Sequence, residues 1–158
     1  MSTEPAKIAT ITMEIQINAP ADVVWRTLTD RIGDWWPEEF YAGGASGERN
    51  FNLDPQPGGL MLESWNEGGG TLWGTVVSAA PGRSLQVLGY VFPNWGGPTE
   101  WYGSWDLNEA DGTTTLRFSE SAMGAISDAS MSEKDKGWSF LWNTLKAHVE
   151  GGEKPVWT

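Results

Sequence analysis

Three charged side chains share strand parity with apolar neighbours: Glu63 with Met61 and Trp65, Glu120 with Leu116 and Phe118, and Arg49 with Phe51 and Leu53. A charge turned inward is costly unless it is paired or hydrogen-bonded. Such a carboxylate can anchor a polar group in an apolar pocket, or act as an acid or base with altered proton affinity. The same spacing fits a strand end where the side chain reaches water, or a structural Arg–Glu pair. The sequence leaves these readings open and favours the structural ones.

The inventory is poor in other chemistry. A Ser-His-Asp or Cys-His system needs a base beside its nucleophile and a third group to orient it. This chain has no cysteine and one histidine, His148. It falls near the end of the last amphipathic stretch, where a cation would be mildly favoured by the helix dipole. A zinc site needs several Cys or His ligands. In Asp106–Gly112, Ala110 holds the fifth position of a would-be calcium loop and Arg117 stands where its bidentate Glu belongs, so Asp111-Gly112 reads as a hairpin turn. Gly68-Gly69-Gly70 and Gly43-Gly44 lack the strand-to-helix setting and the Gly-Lys-Ser/Thr of a phosphate cradle. No catalytic residue, metal or cofactor is expected.

Tryptophan is the abundant resource, with eleven in 158 residues. A Trp ring is large, apolar and carries one N–H donor, so it is seldom fully buried. A chain of this size cannot easily fill a solid core with so many, and they read as the walls of a hollow or as an adhesive surface. The expected lining is Trp35, Trp36, Phe51, Trp73, Trp101, Trp105, Phe118, Trp138 and Trp142, with Glu63 or Glu120 as polar anchors. Gly103, between Trp101 and Trp105 on one strand face, is expected to leave space there. Trp95, within Pro93–Pro98, reads as an exposed loop tip that could meet a partner or a dimer mate.

Composition narrows the setting. Apolar residues at 39% and charged residues at 20% fit a soluble globular domain. A net charge of −11 repels nucleic acid and anionic lipid. No apolar run approaches the roughly 20 residues that span a bilayer. The first residues lack the basic and apolar regions of a signal peptide, and without cysteine a cytoplasmic protein is expected.

The elements that must position these residues are legible from period and punctuation. Residues 8–17 alternate as a half-buried strand. Pro20 and Asp22 open a helical run through Val24, Trp25, Leu28 and Ile32, which Pro37 ends. Six strands are then expected, at 48–53, 60–66, 71–79, 84–92, 99–108 and 113–121, separated by turn residues. The short connections imply an antiparallel meander. The stretch 122–131 could be a loop or a short helix. Ser132 with Asp135 resembles a capping box for a last helix, whose stripe is Trp138, Leu141, Trp142, Leu145 and Val149, and Gly151-Gly152 ends it. A sheet of about seven strands must cover its apolar face, and that helix is the one cover long enough. A gap beneath it is expected because a twisted sheet curls away.

Four stretches carry a family resemblance: Ile17–Trp25, Asp54–Gly59, Gly74–Val77 followed by Pro81–Leu85, and Lys136-Gly137-Trp138 with Leu141 and Leu145. In this order they resemble the START-like (SRPBCC) superfamily, and more narrowly its branch named for the activator of the Hsp90 ATPase. The resemblance implies an α+β helix-grip fold, a single domain over residues 8–150 with tails at 1–7 and 151–158. It says little about chemistry, since the superfamily includes hydrophobic-ligand carriers, cyclase-like enzymes and co-chaperone domains. The expected role is binding a small hydrophobic or aromatic ligand. The alternatives are a cyclase or hydrolase using an inward carboxylate, and a co-chaperone-like interaction module docking through Trp95 and Trp157.

Overall fold

The structure, a computed structural model, describes residues 3–42 and 49–158. Strand β1 (Lys7–Ile17) keeps the expected alternation, with Ile11 and Ile17 buried while Thr10, Thr12, Glu14 and Gln16 face solvent. Helices α1 (Ala21–Leu28) and α2 (Ile32–Trp35) follow. Strands β2 (Arg49–Leu53), β3 (Leu60–Trp65), β4 (Gly70–Ala80), β5 (Ser84–Val91), β6 (Thr99–Ala110) and β7 (Thr113–Gly124) form the meander, and α3 (Asp128–Glu150) closes the fold. The seven strands run in the order β1-β7-β6-β5-β4-β3-β2, and every pairing is antiparallel. Register shifts at Met61/Leu62 and Val76/Ser78 interrupt the ladders, and irregularities of this kind bend a sheet. The curved sheet wraps α3.

Two helix boundaries differ from the sequence expectation. The run after Pro20 is two helices, because Thr29 ends α1: its N–H and its Oγ1 both bond the Trp25 carbonyl. Val24, Trp25, Leu28 and Ile32 are buried on both sides of the break. Helix α3 begins a turn earlier than Ser132. Ser127 is the N-cap, accepting from Ser130 N, while Ser130 Oγ accepts from Ser127 N. A search for an acidic third residue passes over this Ser-Ser capping box. Gly151, at φ 67°, stops the helix as expected.

Leu141, Trp142 and Leu145 of α3 are buried against the sheet. Phe118 on β7 is fully buried there, with ring centroids 4.4 Å from Trp138, 5.0 Å from Trp142 and 5.2 Å from Trp105. Close tilted and stacked contacts of this kind add to the stabilisation from burial. Past α3, Trp157 docks with its ring 5.2 Å from Phe40 and 5.1 Å from Phe140.

The space expected over Gly103 is filled. A Cβ there would lie 2.6 Å from the Trp105 ring and 2.9 Å from that of Trp101, so the glycine admits the rings instead of leaving a void. Gly89, opposite Trp101 in the β5–β6 register, performs the same service. A Cβ on it would lie 2.3 Å from the Trp101 indole and 2.3 Å from the Trp73 carbonyl oxygen, a backbone atom that cannot swing aside. Gly89→Ala should therefore cost about 2 kcal/mol by overpacking. It should also shift the Trp101 fluorescence contribution, and an unchanged urea midpoint would show that the ring does not rest on this strand.

Candidate ligand-binding site

Beneath the N-terminal half of α3 lies a half-open cavity of about 380 Å³. Its floor and sides come from the sheet, with Met61 on β3, Trp73 on β4, Val91 on β5, Trp101 on β6 and Glu120 on β7. Its roof is the α3 face carrying Met131, Lys134, Trp138 and Leu141. Trp36, Phe40 and Ile126 complete the wall. Trp95 stands at the mouth, 46% exposed, its ring stacked on Trp73 at 6.0 Å and 17°. The loop tip is thus a piece of the cavity rim.

The most deeply buried charged group in this wall is Glu120. It is 1% exposed, and both carboxylate oxygens are engaged: Lys134 Nζ donates to one and Trp138 Nε1 to the other. Position 120 turns inward because it shares strand parity with Phe118 and Ala122, both buried. Lys134 and Trp138 are four residues apart on α3 and so project from one helix face. The Trp138 ring, fixed at its N–H, stacks on Trp142 at 5.1 Å and meets Trp101 edge-on at 6.4 Å.

Glu63 is equally buried but works from behind the wall. Its Oε2 accepts from Trp73 Nε1 at 3.1 Å and from the Ala42 amide at 2.8 Å, which ties the Trp73 ring to the segment after Phe40. Of the sequence-derived lining, Trp36, Trp73, Trp101, Glu120 and Trp138 border the cavity. Trp35, Phe51, Trp105, Phe118 and Trp142 stand in the packed core one ring behind it. Arg49 lies over the Tyr41 ring, 4.8 Å from its centroid. Residues 40–47, aromatic then small, could form either a lip over the cavity or a plain connector on sequence grounds; 43–47 lie outside the described residues, while Phe40 itself reaches the cavity. Lys134 falls between Ser132 and Asp135, in a stretch that reads as a helix start, so the sequence does not single it out. Its i, i+4 spacing to Trp138 was the available signal.

His148 departs from its expected role. Burial, with Arg31 and Lys154 adding to it, lowers its pKa from the ordinary 6.5, outweighing Asp34 and any help from the helix end. The folded state therefore disfavours the imidazolium. Above pH 6.5 both states are neutral and pH has no hold through this group. As pH falls through 6.5 the unfolded chain takes up the proton first, and stability declines. Glu150, lowered by the Asn18 amide and Lys146, loses its contribution only as pH drops below its ordinary 4.5. Urea midpoints at about pH 7.5 and 5.5 should thus differ, with the acid value lower, and His148→Gln should shrink the difference. A difference that survives the substitution unchanged would assign it elsewhere.

A long C-terminal helix held by a curved antiparallel sheet, with a hollow between them, is the architecture of a START-like helix-grip protein. The chain belongs to the Activator of Hsp90 ATPase homolog 1-like family, whose model matches residues 18–150. Solved structures agree on the fold. Protein MLL2253 of Mesorhizobium loti is similar at TM-score 0.64 and 18% identity, covering 92% of this chain and 99% of its own. CalU16 of Micromonospora echinospora is similar at TM-score 0.62 and 22% identity, covering 92% and 77%. The Aha1 dimer of Colwellia psychrerythraea is similar at TM-score 0.60 and 20% identity, covering 92% and 98%. No curated protein sequence matches the chain. Among the described residues no helix is long and apolar enough to cross a membrane.

Proposed function

We propose that this protein, as one START-like domain over residues 8–150, binds a small, mainly aromatic molecule in the cavity between α3 and the sheet. The observation that carries this reading is the 380 Å³ space itself, bordered by Trp36, Trp73, Trp101 and Trp138 around one satisfied ion pair. Small-molecule sites combine this size, an apolar wall and few polar groups. A catalytic carboxylate has less support, since both oxygens of Glu120 already accept hydrogen bonds. Titrating intrinsic Trp fluorescence with a panel of hydrophobic ligands should show saturable change for at least one aromatic member, and silence across the panel would remove the reading.

A second reading, self-association, draws on the outer sheet face. There Ile8 pairs with Met123 across β1 and β7, and Tyr90, Phe92 and Tyr102 are exposed nearby. One structural neighbour is a dimer. Sedimentation at rising concentration tests it, and a constant monomer mass would dismiss it.

A further inference from the structure

The polar end of the cavity is lopsided in what it can offer a guest. An ammonium carries three N–H donors and no acceptor. Lys134 gives one of them to Glu120, and its side chain, 27% exposed, borders the cavity. Each Glu120 oxygen already accepts one hydrogen bond, one from Lys134 and the other from the Trp138 indole. A guest entering among the Trp rings therefore meets a charged donor with N–H groups to spare, beside a carboxylate already bound to it. A bare arene can meet that ammonium only through its ring face, a contact open to every aromatic guest alike. A guest with an acceptor at its polar end gains a charge-assisted hydrogen bond in an apolar setting, where such bonds are strong.

The sign of the guest's charge follows from its neighbours. An aromatic carboxylate would bring a second anion beside Glu120, with Glu133 also on the wall and a net charge of −11 on the whole chain. An aromatic ammonium would face the Lys134 charge directly, while the Glu133 carboxylate is exposed to water that screens its attraction. A neutral carbonyl escapes both penalties. Building on the proposed ligand-binding role, we infer that the Glu120–Lys134 pair makes the cavity selective for neutral aromatic molecules bearing a carbonyl acceptor, over bare arenes, aromatic carboxylates and aromatic amines. Lys134 is the residue that reads the carbonyl, and Glu120 holds it in place.

The test displaces the neutral probe N-phenyl-1-naphthylamine with naphthalene, 2-acetylnaphthalene, 2-naphthoate and 2-naphthylmethylamine. The ketone should compete about tenfold better than naphthalene, the gain expected of one hydrogen bond to a charged donor. The carboxylate and the amine should fall below the ketone. The double variant Glu120→Gln/Lys134→Met removes both charges together while leaving the Trp138 N–H an amide oxygen to meet. Within this variant the ketone should compete to within about twofold of naphthalene, whatever the affinity for the arene itself. A second readout needs no variant: the carbonyl stretch of the bound, isotope-labelled ketone should move to lower wavenumber than in a hydrocarbon solvent. Equal competition by ketone and arene, a ketone preference that survives the double variant, or an unshifted carbonyl stretch would each overturn the inference while leaving the cavity reading intact. Failure of all four compounds to displace the probe would sink the cavity reading and this inference with it.

Discussion

Replacing Phe118 with alanine is expected to destabilise the protein by about 4 kcal/mol, the upper range for truncating a fully enclosed aromatic side chain. The ring is fully buried and lies against three indoles, those of Trp105, Trp138 and Trp142, at 4.4 to 5.2 Å between centroids. The buried N–H groups of Trp105 and Trp142 have no acceptor among the described residues, so packing and not hydrogen bonding keeps those two rings in place. Removing Phe118 takes away the surface they share. Trp138 should loosen with them and ligand affinity should fall, because the same ring forms part of the cavity roof. A fall in the urea midpoint with an unchanged slope is the expected signature. A loss below about 1 kcal/mol would mean that the aromatic cluster is not interdigitated as described.

The second large effect concerns charge. Lys134→Met leaves the Glu120 carboxylate, 1% exposed, with the Trp138 N–H but without its counter-ion. Breaking a buried pair on one side is far more damaging than replacing both members, because the remaining charge keeps its desolvation cost. The single variant should lose about 3 kcal/mol, the lower end of the range, since Lys134 itself is 27% exposed. Glu120→Gln/Lys134→Met should recover most of that loss. A double-mutant cycle of urea unfolding measures the coupling, and additive losses would show that the two groups act independently.

The strands were legible because alternation survives burial on one face. Residues 8–17 and 113–121 read correctly as strands, and Glu63 and Glu120 share parity with apolar neighbours in the sequence, which left open whether they turn inward or reach water at a strand end. What parity could not show is which buried carboxylate meets open space. That depends on where α3 crosses the sheet, and α3 lies over Glu120 whereas Glu63 sits behind Trp73. The same limit explains the ring assignments. Trp101, Trp105, Trp138 and Trp142 all turn inward, yet two border the cavity and two fill the core behind it. Gly103 misled for a related reason, since a missing side chain can signal a void or a ring pressed against the backbone. The start of α3 was displaced because a serine can close a capping box in place of an acid.

Indole N–H resonances offer the most direct test of the cavity, because each of the eleven tryptophans gives one cross-peak in a ¹⁵N correlation spectrum. Titration with 2-acetylnaphthalene should move the Trp36, Trp73, Trp95, Trp101 and Trp138 indole signals most, with Trp25 and Trp35 nearly still. Shifts confined to Trp25, Trp35 or Trp65, or no shifts at saturating ketone, would contradict a guest seated under α3.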